Sequence, residues 1–176
     1  HEHLVSIRGV ARRREGIGVG SVTDDDAVGA LPPPAHVVRA EVHGAQVGKI
    51  TADTRTPVIP DTDALITNVT GVMLKLVFAD CVPVFLVAEG GGSVGVLHAG
   101  WKGVAAGILE RGLQVMEDDL GCPPRDLHLH LGPAICGDCY EVGPEVHRAL
   151  GLPEPGAPTP VDLRGILASR GLQAGV

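Results

Sequence analysis

Aromatic residues are nearly missing from this 176-residue chain: one Trp, one Tyr and two Phe make up 2% of it. Its core must therefore be filled with Val, Leu, Ile and Ala. No apolar run approaches the ~20 residues that a membrane-crossing helix needs, and the opening His1-Glu2-His3 has none of the apolar stretch of a secretory signal. Positive charge is scarce too. Fourteen Lys and Arg against 21 Asp and Glu leave a net charge of -7, which argues against a nucleic-acid binder, since such proteins usually show a basic surface. The one basic cluster, Arg12-Arg13-Arg14, reads as a solvated loop. Cysteines number four, Cys81, Cys122, Cys136 and Cys139. In a domain that is not small and shows no signal, they indicate a reducing, cytoplasmic setting, where cysteine serves as a buried apolar residue, a ligand or a nucleophile.

What is present is enough to fold. Hydrophobic residues make up 44%, and the length corresponds to about one domain. Residues 1–36 read as loops, with Gly16, Gly18 and Gly20, then Asp24-Asp25-Asp26, then Pro32-Pro33-Pro34. The glycine spacing is not that of a dinucleotide fingerprint, and no periodic helix follows it. From there, short β-branched or apolar runs bounded by Gly, Pro, Asp or Asn predict strands over 37–42, 64–69, 72–78, 82–88 and 93–98, with Gly90-Gly91-Gly92 as a hairpin loop. Apolar residues at near-helical spacing predict a helix over 103–120, stopped by Gly121 and Pro123. Leu127, Leu129 and Leu131 alternate with His128 and His130 as in a half-buried strand whose histidines face solvent. Pro144 suits the first position of a helix over 145–150. Asp162 suits the cap of another over 163–170, ended by Gly171. The pattern is that of a single α/β (or α+β) domain with a mixed sheet.

Three segments carry chemistry: Glu41-Val42-His43-Gly44, Ala79-Asp80-Cys81-Val82-Pro83 and His98-Ala99-Gly100-Trp101-Lys102-Gly103. Each sets a ligand-type side chain at the end of a predicted strand, where a sheet gathers residues from distant parts of a chain. Two imidazoles and a thiolate, His43, His98 and Cys81, form a three-ligand zinc set with one position open. An open position is what a catalytic metal uses to hold and acidify water. The same residues also suit nucleophilic catalysis, with Cys81 attacking, His98 as base and Asp80 or His43 as orienter. After His98, a helix start with free N–H groups and the positive charge of Lys102 suits a phosphate, held by Trp101, Lys102 and Gly103. Cys136-Gly137-Asp138-Cys139 has no second pair to complete a structural zinc site, and its cysteines read as structural or incidental.

In this order the segments resemble the laccase-domain family, also known as the multicopper polyphenol oxidase or purine nucleoside phosphorylase/adenosine deaminase family, which includes the peptidoglycan editing factor. The resemblance rests on Val42-His43-Gly44, Asp63-Ala64-Leu65-Ile66-Thr67, Ala79-Asp80-Cys81-Val82-Pro83, His98 to Gly103, Gly132-Pro133-Ala134-Ile135 and Cys139-Tyr140-Glu141-Val142-Gly143, about residues 37–147 in register. Glu41 stands where the family usually has Gln. The resemblance implies a mixed-sheet sandwich with helices, likened to cysteine hydrolases, and zinc on His43, Cys81 and His98. It implies phosphorolysis of adenosine, inosine, guanosine and methylthioadenosine, with adenosine deamination, so the partners expected are a purine nucleoside and phosphate. Copper is expected less than zinc, because a multicopper site needs clustered H-x-H pairs. Here only His1/His3 and His128/His130 have that spacing, outside the motifs. A cysteine hydrolase acting on peptidoglycan precursors, a polyphenol oxidase and a non-enzymatic zinc-stabilised binding domain are the alternatives. Against the family pattern, residues 1–176 are expected to be one domain, incomplete at both ends.

Overall fold

The computed structural model describes residues 3–8, 20–22, 35–37, 44–54 and 58–176, the first three segments by their backbone alone. Its organising feature is a pair of strands with no polar face. The strand β7 (Val82–Ala88) is buried at every position, and so is β8 (Val94–Ala99). A strand buried on both faces must lie inside a sheet with a layer packed on either side.

The chain opens with β1 (His3–Arg8), β2 (Gly20–Val22), β3 (Ala35–Val37) and β4 (Val47–Ile50). Then come β5 (Ala64–Thr67) and β6 (Met73–Phe78), followed by β7 and β8. The helices α1 (Trp101–Ala105) and α2 (Ile108–Leu120) come next, then β9 (Leu127–Leu131). The short β10 (Glu141–Val142), α3 (Pro144–Ala149), β11 (Thr159–Pro160) and α4 (Leu163–Ala174) close it. One sheet has the order β2-β1-β6-β3, a second β4-β5-β8-β7-β9, and β10 pairs with β11. Both larger sheets are mixed: β3 runs parallel to β6 and β4 to β5, while the other pairs are antiparallel.

Strand alternation sorts the core into two layers. Leu65, Phe85, Val87, Val94 and Val96 face the four-stranded sheet and meet Leu74, Leu76 and Phe78 of β6. Ala64, Ile66, Val82, Val84, Leu86 and Leu97 point the other way, onto Ile108, Leu109, Leu113 and Met116 of α2 and Leu163 and Leu167 of α4. The result is a sheet–sheet–helix sandwich. Each buried Leu, Ile or Val contributes roughly 1.5–3 kcal/mol over its exposed state, so branched aliphatics suffice where rings are few.

The helical layer sits close because Gly112 leaves room for it. A Cβ there would lie 2.6 Å from Cδ2 of Leu97, a fully buried side chain. Gly112→Ala is expected to lower stability by about 1–3 kcal/mol, the usual cost of overpacking. Urea unfolding reads it as a lower midpoint at unchanged slope, and an unchanged midpoint would mean that α2 is not seated so tightly.

Several expectations are corrected. Residues 1–36 are not loop throughout, since β1, β2 and β3 begin within them. Of the strand expected over 37–42, Val37 closes β3 and the remainder lies outside the described residues. The single helix expected over 103–120 is two helices, because Gly107 takes the left-handed conformation, with φ +80°. The last helix does not stop at Gly171 but runs to Ala174, with left-handed Gly175 after it. Asp162 does cap it, accepting the Gly165 N–H at 3.0 Å. Cys136 and Cys139 are not thiols but a disulfide.

Candidate metal and catalytic site

Cys81 stands at the passage from one sheet to the other. Three residues, Ala79 to Cys81, connect β6 to β7, so the turn must be tight. Asp80 adopts the left-handed region (φ 67°), which costs a non-glycine residue roughly 1–2 kcal/mol and which Asp tolerates better than most. The turn is fixed by Cys81 N–H to the Ala79 carbonyl at 2.8 Å and Ile135 N–H to the Asp80 carbonyl at 3.0 Å. Cys81 is half-buried, and its sulfur is not in a disulfide.

Register places the residues that follow Cys81. β7 and β8 form a hairpin in which Val82 pairs with Ala99 and Pro83 with His98. Cross-strand partners share a face, as do residues two apart on a strand. Pro83 and His98 therefore belong to the face that looks towards the four-stranded sheet, and Cys81 immediately precedes β7 in the turn that leads out of β6. His98 confirms the face: the ring is buried and lies 5.2 Å from that of Phe78, the last residue of β6. The site thus occupies one end of the space between the two sheets.

Pro83 shapes this end. Its carbonyl accepts the Gly132 N–H at 2.8 Å, on the β9 side, but Pro has no N–H to return. Pairing of β7 with β9 accordingly stops at Val84 and Leu131, and the start of β7 stays open on that side.

The same register brings in Asp63. In the β5–β8 pair Ala64 lies opposite Leu97, so Asp63 lies opposite His98, and the His98 N–H donates to the Asp63 carbonyl at 2.7 Å. The Asp63 side chain is fully buried. Its Oδ2 accepts the N–H groups of Gly44 at 3.1 Å and Gln46 at 3.4 Å. Its Oδ1 is buried with no hydrogen-bond partner among the described residues. His43 itself lies outside the described residues, but the backbone immediately after it is pinned beside His98. Gly103 completes the contact: a Cβ there would sit 3.0 Å from the Gly44 carbonyl oxygen and 3.4 Å from that of His98.

Among the described residues no three of His, Cys, Asp and Glu gather as metal ligands. What they provide is the buried imidazole of His98 and the half-buried thiol of Cys81, with the buried Asp63 carboxylate across the β5–β8 pair from His98. Cys and His are ligand types that zinc takes, with a further ligand and an open position for water.

Around this centre lie the other residues singled out in the sequence. Trp101 opens α1 and packs partly against the helix-side core. The exposed Lys102 places its ammonium 5.7 Å from the Trp101 ring centroid. His128 and His130 are exposed on β9, as their alternation with leucines implies, and the His130 ring lies 5.8 Å from Phe85. Two residues had no role in the sequence reading. Asp63 was visible as an acid at the mouth of an apolar strand, a position that asks for a partner. Tyr140 follows the disulfide and is half-buried.

The Tyr140 phenol is pushed above its ordinary 10.0, first by burial, then by the negative charge of Cys81 and of Asp80. As the chain's single tyrosine, it can be titrated directly by ultraviolet absorbance. In chelator-treated protein the midpoint is expected above 10.0, falling towards it in Cys81→Ala. The neutral phenol is favoured by the fold. Its contribution to stability is therefore complete below the unfolded value of about 10 and is lost as pH rises through the folded one. A midpoint at or below the ordinary value in folded protein would place Tyr140 away from Cys81.

The fold is a mixed-sheet sandwich, with His98 buried at the end of the space between its two larger sheets and Cys81 in the turn between them. The chain belongs to the multi-copper polyphenol oxidoreductase laccase family, whose sequence profile matches residues 26–176. It is 38% identical over 128 residues to purine nucleoside phosphorylase YlmD of Geobacillus stearothermophilus, covering 69% of this chain and 47% of that protein. It is 34% identical over 125 residues to adenosine deaminase RL5 of an unknown prokaryotic organism, covering 71% of this chain and 47% of the other. The crystal structure of YlmD from Geobacillus stearothermophilus superposes with a TM-score of 0.73 at 34% identity, over 80% of this chain and 59% of that one. The chain spans about half the length of the curated relatives it matches.

Proposed function

We propose that this chain forms the zinc-binding part of a purine nucleoside phosphorylase acting on adenosine, inosine, guanosine and methylthioadenosine, with adenosine deaminase activity. One observation carries the reading: Cys81 stands at the start of β7, whose Pro83 pairs with His98, and Asp63 ties the backbone that follows His43 to His98. Relatives named for purine nucleoside phosphorolysis and adenosine deamination support the substrate class. His43, Cys81 and His98 hold the ion, and zinc supplies Lewis acidity that makes water a nucleophile at neutral pH. Copper fits less well, since the described H-x-H pair, His128 and His130, is exposed on β9 and pairs with Val87 and Phe85 rather than with the Cys81 end of β7.

The chain's own residues then have two tasks. Lys102, exposed at the start of α1, supplies positive charge for a phosphate that attacks the ribose C1′ as the C1′–N bond to the purine breaks, the purine leaving protonated and the sugar as its 1-phosphate. Trp101 offers a partly exposed ring for the purine to stack on. The test is zinc content measured alongside phosphate-dependent release of hypoxanthine from inosine and loss of ammonia from adenosine. About one zinc per chain, with turnover lost on chelation and restored by zinc, is expected. Turnover that survives chelation would move the reading to a cysteine hydrolase in which Cys81 attacks substrate carbon.

A further inference from the structure

We propose that Asp63 is the positioning residue of this centre, a single buried carboxylate that sets residues 44–46, which follow His43 in sequence, against the strand end of His98. The proposal rests on the zinc reading above, and its observations are independent of any ion. Asp63 reaches both candidate histidines through the backbone: its carbonyl accepts the His98 N–H at 2.7 Å, and its Oδ2 accepts the N–H of Gly44, the residue after His43, at 3.1 Å. Gln46 N–H joins the same oxygen at 3.4 Å, and the Asp63 N–H returns to the Gln46 carbonyl at 2.9 Å. Three bonds thus lock residues 44–46 onto Asp63, just before β5, and the fourth ties His98 to the same residue.

The second oxygen matters as much. Oδ1 is buried with no hydrogen-bond partner among the described residues, and a buried acceptor left unmade is costly. By register the Asp63 carboxylate and the His98 ring stand directly across the β5–β8 pair, on one face. A histidine that ligates a metal through one ring nitrogen commonly donates from the other to a carboxylate, which fixes its tautomer and orientation. With an ion on His98, Oδ1 would be the acceptor for its other ring nitrogen, a bond that the structure itself does not make. Asp63 is no ligand in this arrangement, as it does not gather with Cys81 and His98 into a metal-holding trio.

Two variants test this on the full chain. Asp63→Asn keeps the shape and one oxygen, whereas Asp63→Ala removes both. Zinc affinity is measured by competition with a chromogenic chelator, and amide hydrogen exchange is followed at Gly44 and Gln46 without metal. The Asn variant is expected to bind zinc about 10-fold to 100-fold more weakly, the range for outer carboxylate partners of metal-bound histidine. The Ala variant is expected to bind more weakly still, with faster exchange at Gly44 and Gln46 while the centres of β7 and β8 keep their protection. Wild-type zinc affinity in both variants would overturn the proposal. If the wild type itself binds no zinc, the zinc reading fails on its own, and exchange decides for Asp63: lost protection at Gly44 and Gln46 in Asp63→Ala sustains the positioning role, and retained protection overturns it. Should Asp63→Ala not fold, the Asn variant decides zinc affinity and wild-type exchange decides the tether, which unprotected Gly44 and Gln46 amides would refute.

Discussion

Cys81→Ala is expected to lose zinc and nucleoside turnover together. A structural zinc site is worth about 10–16 kcal/mol shared among its ligands. One thiolate thus accounts for about 3–4 kcal/mol, or roughly a 300-fold to 1,000-fold weaker affinity. The fold should tolerate the change, because Cys81 is half-buried at a turn whose bonds run through the backbone, from Cys81 to Ala79 and from Ile135 to Asp80. Zinc per chain by elemental analysis and hypoxanthine release are the paired readouts, with thermal unfolding as the check on folding. Loss of both at near wild-type stability supports a ligand. Full zinc with no turnover supports a nucleophile, and alkylation of wild-type Cys81 by a substrate-like electrophile would then confirm it. Full zinc with full turnover would end the assignment of Cys81 to either role.

Gly103→Val is the second large effect, and it separates packing from ligand binding. The atoms that a Cβ would crowd at 3.0 and 3.4 Å are both backbone carbonyl oxygens, of Gly44 and His98, so neither can swing aside as a side chain would. Valine adds two more carbons in a position that is already buried. The expected cost is about 3 kcal/mol, the upper part of the overpacking range. The strain falls on the backbone beside His43 and on His98 itself, so zinc affinity should drop along with the unfolding midpoint. Gly112→Ala is the matched control: it crowds Leu97 on the helix side of the sheet, and should lower the midpoint while leaving zinc affinity unchanged. If Gly103→Val binds zinc as the wild type does, the loop after His43 is not held where these contacts put it.

The parts of the fold that were legible in the sequence were those whose local pattern and tertiary setting agree. β7 is an unbroken apolar run between Cys81 and Glu89, and it was found at its true bounds. The Leu/His alternation of β9 mirrors a strand with one face under α4 and the other exposed. β4 was missed because Val47-Gly48-Lys49-Ile50 carries a glycine and a lysine. Its place comes from parallel pairing with β5, a non-local contact that no short window records. The split between α1 and α2 was hidden because Gly107 is tolerated within a helical pattern, and tertiary packing chose the left-handed conformation there.

For the site, sequence offered residue types and segment order, which sufficed to nominate Cys81 and His98. It did not offer strand register, and register is what pairs Pro83, two residues after Cys81, with His98 and sets Asp63 across from His98. The disulfide of Cys136 and Cys139 was also beyond it, since a lone CxxC is compatible with thiols, a metal or a bond.

The poverty in rings noted at the outset has an optical consequence. The chain has one tryptophan and one tyrosine, and both sit partly buried at the edge of the helix-side core. Trp101 comes three residues after His98, with the Lys102 ammonium near its ring, and Tyr140 is close enough to Cys81 and Asp80 to feel their charge. Almost all of the intrinsic fluorescence and near-ultraviolet dichroism of this protein therefore originates from these two partly buried residues rather than from the interleaved aliphatic layers. Emission will report first on the surroundings of Trp101 and Lys102 at the start of α1, so a phosphate or a purine that binds there can be watched without attaching any label.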